Sequence, residues 1–406
     1  MPVEVLRCRI CESEYPAVAN GICARCFGPL EPVYDWDALA RTVTRERIEA
    51  GPMSLWRYAD LLPAAPPEDS GSGPGLTPLV PAPRLAAALG VGEIFLKLDL
   101  SNPTHSFKDR VVAVAAAKAT EFGMDTLSAT STGNLANAVA ARAAAIGKQA
   151  LIFCPAGLET EKVRATTIYG ATIYAVHGSY DDCSRLVSEL AGEVDWGIVN
   201  VNLRSYYAEG SKTLAYEIVE QLDWETPDAV VMPIGSGAMY TKVWKGFEQF
   251  RRLELVSGTM PKMFGGQAAG CNPVAAAFAE ERRVTPVRPQ SVVSSIAIGN
   301  PADGDLASEI ARESGGAMYT VPEDEVGANI ALLAQHAGVL GEGATGVAIG
   351  ALREAAARGE LGENNRVVVL VTGTGLKTPQ LVESSGRVVE IEPDVDALLD
   401  ELGVTA

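Results

Sequence analysis

Short apolar runs alternate with alanine-rich helical stretches along most of this chain, and that alternation restricts the fold more than any other feature. Residues 94–98, 127–130, 150–154 and 172–176 read as strands, with helical patterns over 109–122, 135–146 and 161–169 and another opening near Tyr180. A second series starts around Ala208, with strands at 229–232, 263–267 and 366–371 and helices at 239–250, 323–336 and 344–357. Strands that alternate with helices pair in parallel and need covering on both faces. The expected fold class is therefore α/β, with two three-layer αβα domains, a cleft between them and ligands at the carboxyl ends of the strands. Residues 36–65 read as helical with a charged surface, and the Pro/Gly/Ser-rich stretch 66–75 reads as a boundary or mobile loop.

A chain of 406 residues exceeds the roughly 250–300 residues at which single cores stop growing, so two main domains are expected. Its 47% hydrophobic content is ample for burial and unlike that of a disordered chain. A net charge of −18 opposes the attraction on which nonspecific nucleic-acid binding rests, so no nucleic-acid partner is expected. The first residues lack a basic-then-apolar leader pattern, and no run of about 18 uncharged apolar residues occurs. The reading is a cytoplasmic protein with no membrane partner.

Four of the seven cysteines fall in one short stretch: Cys8-x-x-Cys11, eleven residues, then Cys23-x-x-Cys26. Two such pairs form knuckles that can set four thiolates tetrahedrally around a structural zinc. Thiols left without metal in a small ribbon are the alternative, and a redox pair is a weaker one. Cys154, Cys183 and Cys271 are scattered and read as small buried residues.

Four strand ends carry polar loops, three of which contain glycine. After 94–98 comes Asn102-Pro-Thr-His-Ser-Phe-Lys-Asp-Arg110, which places Lys108 at a helix start, where the positive end of the helix disfavours an ammonium and suits an imine. After 127–130, Ser131, Thr132, Gly133 and Asn134 present hydroxyls and N–H groups at a helix N-terminus, suited to an anionic carboxylate or phosphate. Ile234-Gly-Ser-Gly-Ala-Met239 brings main-chain N–H groups close enough to cradle a phosphate without a basic side chain. Thr372-Gly-Thr-Gly-Leu-Lys377 offers a neutral hydroxyl to a buried ring nitrogen. Taken singly, the Lys108, 234–239 and 372–377 loops are better explained as a solvated lysine or turns, whereas an N-cap accounts for only one residue of the Ser131–Asn134 cluster; their company changes the balance.

Ser106-Phe-Lys-Asp-Arg110, Ser131-Thr-Gly-Asn134, Gly235-Ser-Gly-Ala238 and Thr372-Gly-Thr-Gly-Leu-Lys377 occur in the order seen in fold-type II pyridoxal-phosphate enzymes, the tryptophan synthase β superfamily. The chain resembles the threonine-synthase-like family from about Thr77 through Pro379, with Gly265-Gly-Gln-Ala-Ala-Gly270 and Ile298-Gly-Asn-Pro301 as further similar segments. The paired cysteines and Leu30-Glu-Pro-Val-Tyr-Asp35 also resemble its bacterial members. That resemblance implies pyridoxal 5′-phosphate held as a Schiff base on Lys108, the catalytic residue. It implies Phe107 beside the ring, Asn134 at the phenolic oxygen, Gly235, Ser236, Gly237, Ala238 and Met239 on the phosphate, and Thr372 facing the pyridine nitrogen. Substrate contacts would come from Thr77, His105, Ser131 and Thr132. The implied division is a zinc-ribbon-like module over 1–34, a large cofactor-binding domain over 35–111 with 206–406, and a small mobile domain over 112–205. A homodimer acting on an amino acid is implied, the reaction being O-phospho-L-homoserine and water to L-threonine and phosphate by γ-elimination and β-addition.

The chain departs from the family where substrate is read. Gly73-Pro-Gly-Leu-Thr-Pro-Leu79 stands where the family commonly has Gly-Glu-Gly-Asn-Thr-Pro-Leu, and His105 stands where it commonly has glycine. A loop-fixing hydrogen bond and a substrate contact are equal readings of His105. Arg110, Lys162 and Arg164 are candidate anion binders. The alternatives are β-replacement or elimination on a phosphoserine-like substrate, as in a cysteate synthase, and a noncatalytic regulatory homologue with the cysteine module as its docking surface.

Overall fold

The computed structural model describes residues 3–68, 73–131, 133–382 and 386–403. At the N-terminus three short strands, β1 (Val5–Cys8), β2 (Glu14–Pro16) and β3 (Leu30–Pro32), form an antiparallel sheet in the order β2-β1-β3. Next come β4 (Leu79–Pro81) and β5 (Glu93–Leu98), and then the four strands of a separate parallel sheet: β6 (Thr126–Thr130), β7 (Gln149–Pro155), β8 (Thr172–Val176) and β9 (Gly197–Ile198). The chain then contributes β10 (Ala229–Pro233), β11 (Lys262–Ala268), β12 (Ala317–Val321) and β13 (Arg366–Val371) to the larger sheet.

The larger sheet runs β12-β11-β10-β13-β5-β4, and the smaller runs β8-β7-β6-β9. Strand β13, Arg-Val-Val-Val-Leu-Val, shows why the centre of the larger sheet forms: its β-branched residues are buried on both faces, as a sheet covered by helices on each side requires. One face packs Leu214, Ile218, Phe247 and Phe250 against Val368 and Leu370, and the other packs Ile349 and Leu352 against Val367 and Val369. The smaller sheet is closed by the alanine-rich helices Lys108–Glu121 and Asn134–Ala145 against Leu127, Ala129 and Ile152.

The expectation of parallel pairing holds except at one edge, where β4 runs antiparallel to β5. Its Pro81 lacks an N–H and is tolerated because the strand is an edge. The helical reading of 36–65 breaks into Trp36–Thr42, Arg45–Glu49 and a 3-10 turn over Leu55–Leu61. Thr44 restarts the second helix by accepting the Arg47 N–H at 3.2 Å, and Gly51-Pro52 then stops it. The Pro/Gly/Ser stretch 66–75 lies partly outside the described residues, at 69–72. Among the described residues no helix is long and apolar enough to cross a membrane.

Candidate functional site

In the larger sheet β10, β13 and β5 are parallel neighbours, so their carboxyl ends lie side by side on one edge. The loops that follow them are 234–239, 372–377 and 99–107, three of the four polar loops noted in the sequence. The Phe107 N–H donates to the Thr372 carbonyl at 2.9 Å, and Ser106 bridges to Gly373, which ties the lysine loop to the end of β13.

Lys108 opens the helix Lys108–Glu121 with Phe107 as its N-cap, and both are half-buried. Its Nζ stands 4.5 Å from the centre of the Phe107 ring and donates to the Tyr207 hydroxyl at 3.3 Å. Asn134, from the fourth loop on the smaller sheet, reaches across: its Nδ2 donates to Glu342 Oε2 at 2.8 Å. Thr372 Oγ1 donates to the other oxygen, Glu342 Oε1, at 3.0 Å, and Lys377 Nζ donates to Asn134 Oδ1 at 2.8 Å. Burial raises the Glu342 carboxyl above the ordinary carboxylate range, although Asn134, Thr372, Lys377 and Lys108 all favour its charge. Burial likewise lowers Lys377, against the pull of Glu342 and Asp109. Gly373 is required here because a Cβ on it would lie 2.6 Å from the Glu342 carboxyl carbon.

Neither Glu342 nor Tyr207 was singled out in the sequence. A glutamate between two glycines before a helix looks like an ordinary helix start, and Tyr207 lies on a four-residue helix, Arg204–Tyr207. Lys377 was part of a quoted motif with no role attached.

At the end of β10, Gly237 adopts φ +87° and starts the helix Ala238–Arg252. A Cβ there would lie 2.7 Å from the Asp303 carbonyl oxygen. Ser236 Oγ accepts the Ala238 N–H at 3.4 Å, and Gly235, Ser236, Ala238 and Met239 are only half-buried. The N–H groups of this first turn have no intrahelical acceptor, as a phosphate cradle needs.

The donor set suits pyridoxal phosphate: a half-buried amine beside an aromatic ring, a neutral amide, a neutral hydroxyl and a main-chain cradle for a phosphate. Ser106 Oγ, two residues before the lysine, is buried with no hydrogen-bond partner among the described residues, so it has capacity left for a ligand.

The other expected residues fall less centrally. Thr77 stands apart, its hydroxyl donating to Asp99 Oδ1 at 2.8 Å and accepting from Arg110 Nη2 at 2.9 Å. Arg110 is not available to an external anion: it is wholly buried and paired with Asp99 at 2.7 Å and with Glu217. Arg110 lies two residues beyond Lys108, about 200° round the helix, so its side chain leaves on a different face from the lysine. Lys162 pairs with Glu159 at 2.6 Å on the surface. Ser131 Oγ accepts the Gly133 and Ala136 N–H groups at 3.3 Å each and so caps the helix Asn134–Ala145; Thr132 lies outside the described residues.

His105 is exposed, its Nδ1 3.3 Å from the Leu100 carbonyl oxygen, and its backbone sits at φ +60°. Leu76, another departure from the family pattern, sits at φ +45°. Both are left-handed positions that glycine or asparagine occupies with less strain. The two loops meet at Asn102, whose Oδ1 accepts the Gly75 N–H at 3.0 Å and whose carbonyl accepts the His105 N–H at 2.7 Å.

The four N-terminal cysteines converge, with all four Sγ atoms within 4.8 Å of one another. Cys8 and Cys26 Sγ are 3.4 Å apart, and Cys11 and Cys23 Sγ 3.6 Å. A zinc tetrahedron with bonds near 2.3 Å has edges of about 3.8 Å, close to these separations. The Ile10 and Arg25 N–H groups each donate to a cysteine sulfur at 3.4 Å, which favours thiolates.

The pyridoxal-phosphate dependent enzyme family matches residues 72–373 of this chain. The threonine synthase of Methanocaldococcus jannaschii is 32% identical over 397 residues, covering 97% of this chain and 98% of that protein. The threonine synthase of Methanosarcina acetivorans is 34% identical, covering 98% of each, and that of Synechocystis is 36% identical over 81% of this chain and 85% of its own. Among solved structures, diaminopropionate ammonia lyase from Escherichia coli superposes with a TM-score of 0.66 at 20% identity, covering 83% of this chain and 91% of its own. An L-serine ammonia-lyase from Rhizomucor miehei gives 0.60 at 19% identity, over 74% of this chain and 94% of its own. At such identities the two structures establish a shared fold.

Proposed function

The chain belongs to the pyridoxal-phosphate dependent enzymes and, within them, to the threonine synthases, and on that premise we propose that it converts O-phospho-L-homoserine and water to L-threonine and phosphate. The observation that carries the site assignment is the meeting of Lys108, Asn134 and Thr372, from three separate loops on the larger and the smaller sheet, around the buried Glu342 carboxyl.

Bound pyridoxal phosphate supplies an electron sink for charge developing at the substrate's α carbon. Lys108 is the residue to hold it covalently, and once freed by the substrate's amine its own amine moves protons at the α and β carbons as base and acid. Phe107 keeps one side of that amine apolar and Tyr207 holds it by a hydrogen bond. The Gly235–Met239 turn would hold the cofactor's phosphate, Asn134 its ring oxygen, and the neutral Thr372 hydroxyl its ring nitrogen. Ser131 and Thr132 are assigned to the substrate carboxylate, with Thr77 and His105 near the substrate loops. Phosphate would leave Cγ as protons are taken from the α and β carbons, Cγ would take up a proton to become the methyl group, and water would add its hydroxyl at Cβ with a proton returned to the α carbon. Closure of the smaller sheet's domain, 112–205, on the larger one, 35–111 with 206–406, would exclude bulk water.

A structural zinc on Cys8, Cys11, Cys23 and Cys26 belongs to the same reading, supported by the sulfur separations. So does assembly as a homodimer, supported by the family resemblance and testable by sedimentation. The function itself is tested by mixing the holoenzyme with O-phosphohomoserine and following phosphate release together with the amino acid formed. Threonine appearing one-for-one with phosphate is expected. Turnover of phosphoserine with none of O-phosphohomoserine would move the chain to a β-replacing activity.

A further inference from the structure

The N-terminal cysteine module packs Val3 and Tyr34 on the core of the larger sheet and Leu6, Cys8, Cys23 and Leu30 on that of the smaller one, and three of its polar contacts lead toward the cofactor site. Arg9 lies inside the first knuckle, between Cys8 and Cys11, and its Nη1 pairs with Asp303 Oδ1 at 2.8 Å. Arg204 takes the other oxygen, Oδ2, at 2.7 Å, so the buried Asp303 carboxylate bridges two guanidinium groups. Asp303 is in turn fastened to the phosphate loop. Its N–H donates to the Ser236 carbonyl at 2.9 Å, and its own carbonyl oxygen fills the space where a Gly237 side chain would begin.

The second grip is on the helix that this loop starts. Glu31, on β3, pairs with Lys242 at 3.0 Å and Lys245 at 2.8 Å, one and two turns into the helix Ala238–Arg252, and the buried Glu209 takes both lysines as well. The third is on the helix Arg204–Tyr207. Ser205 Oγ donates to the Asn20 carbonyl at 3.3 Å and the Tyr206 hydroxyl to the Val18 carbonyl at 2.8 Å, and the following residue is the tyrosine bonded to Lys108. A sheet of strands four, three and three residues long has little core of its own, so order in the module depends on what joins the four sulfurs together with the packing of Leu6, Cys8, Cys23 and Leu30 on the rest of the protein.

We infer that the cysteine module is a clamp on the cofactor site: a soft divalent ion on the four thiolates fixes Arg9, and Arg9 through Asp303 holds the Ser236–Gly237 turn in its phosphate-binding shape. Arg9 and Asp303 are positioning residues, since neither is placed on the cofactor itself. This deepens the proposed function and rests on it, because it takes the Gly235–Met239 turn to hold the cofactor's phosphate.

The test uses the full-length protein, with zinc content measured, and compares wild type, Arg9→Ala, Arg9→Lys, Asp303→Asn and Arg7→Ala. The readouts are the pyridoxal-phosphate dissociation constant from spectral titration and the phosphorus-31 resonance of the bound cofactor, with circular dichroism to confirm folding. Loss of one charged hydrogen-bond partner predicts a cofactor affinity weakened about tenfold in Arg9→Ala, partial rescue in Arg9→Lys, and a shifted phosphorus resonance. Asp303→Asn, which keeps the backbone bond to Ser236, provides a second reading if Arg9→Ala fails to fold. Arg7→Ala, which breaks an exposed pair with Glu14 in the same module, should leave both readouts at wild-type values. Stripping the metal with a chelator should weaken cofactor binding in wild type and add little in Arg9→Ala.

Wild-type affinity and resonance in folded Arg9→Ala and Asp303→Asn would overturn the inference, as would a full additional loss on chelating Arg9→Ala. A protein that neither carries nor takes up zinc yet binds the cofactor normally would overturn the metal's part in the clamp. Failure of the wild type to bind pyridoxal phosphate would be a separate result, which removes the proposed function and this inference with it.

Discussion

Glu342→Gln changes one oxygen for an NH2 group, and the structure specifies what that does. Asn134 sits between an acceptor and a donor: its Nδ2 gives to Glu342 at 2.8 Å while its Oδ1 receives from Lys377 at 2.8 Å. The new amide can keep its oxygen on the Thr372 hydroxyl, but its nitrogen then faces the Asn134 nitrogen, donor against donor. Turning Asn134 over repairs that contact and sets its nitrogen against the Lys377 ammonium instead. Turning the new amide instead sets its oxygen on Asn134 and its nitrogen on the Thr372 oxygen, but leaves the buried Thr372 O–H without its acceptor, so each arrangement leaves one buried donor unmet, at about 2 kcal/mol. Relief of the buried charge offsets part of this, because the carboxyl is already pushed upward by burial. In urea denaturation of the cofactor-free protein, Glu342→Gln should lower the midpoint by an amount corresponding to about 1–2 kcal/mol, with an unchanged slope. Adding Lys377→Met frees Asn134 to turn over, so the double variant should recover part of the loss, a coupling of about 1 kcal/mol. Strict additivity, or a Glu342→Gln midpoint equal to wild type, would refute the arrangement of Asn134 as the link between the two sheets.

His105→Gly removes a left-handed strain of about 1–2 kcal/mol and a long surface hydrogen bond, so thermal melting should show a protein as stable as wild type or up to about 1 kcal/mol more stable; destabilisation by more than that would mean the ring fixes the loop. Leu76→Asn at φ +45° should act in the same direction, and an unchanged KM in both variants would remove the substrate-contact reading of His105. Glu217 is buried, which alone would raise its carboxyl, but Arg110 and Lys97 outweigh burial and hold it at about 2, below the ordinary 4.5. Its contribution to stability, about 3 kcal/mol, is therefore present above pH 4.5 and lost as pH falls toward 2. Glu217→Gln should melt lower at pH 7 yet lose less stability between those pH values, and an acid limb identical to wild type would contradict this assignment.

The parallel strands were legible because short apolar runs such as 94–98 and 366–371 end in polar loops. The loops themselves were legible as sites because four carry the same strand-to-helix punctuation. Strand β12 was not, since Ala-Met-Tyr-Thr-Val is short and follows Gly315-Gly316, which reads as a turn. The helix Gly304–Glu313 was passed over as well, and with it Asp303, whose importance lies entirely in partners nearly 300 and 100 residues away. Glu342 escaped for a similar reason. Periodicity places a residue on an element but carries no information about which distant loop the fold sets against it, and the same limit made the buried Arg110 look like an anion binder.

The covalent anchor tests the account most directly, because two lysines, Lys108 and Lys377, both have a hydrogen bond or charge interaction with the Asn134–Glu342–Thr372 cluster. Reduction of the pyridoxal-phosphate-loaded protein with borohydride, followed by proteolysis and mass spectrometry, should place the phosphopyridoxyl group on the peptide carrying Lys108, and Lys108→Ala should yield none. The group found on Lys377, or retained in Lys108→Ala, would contradict it.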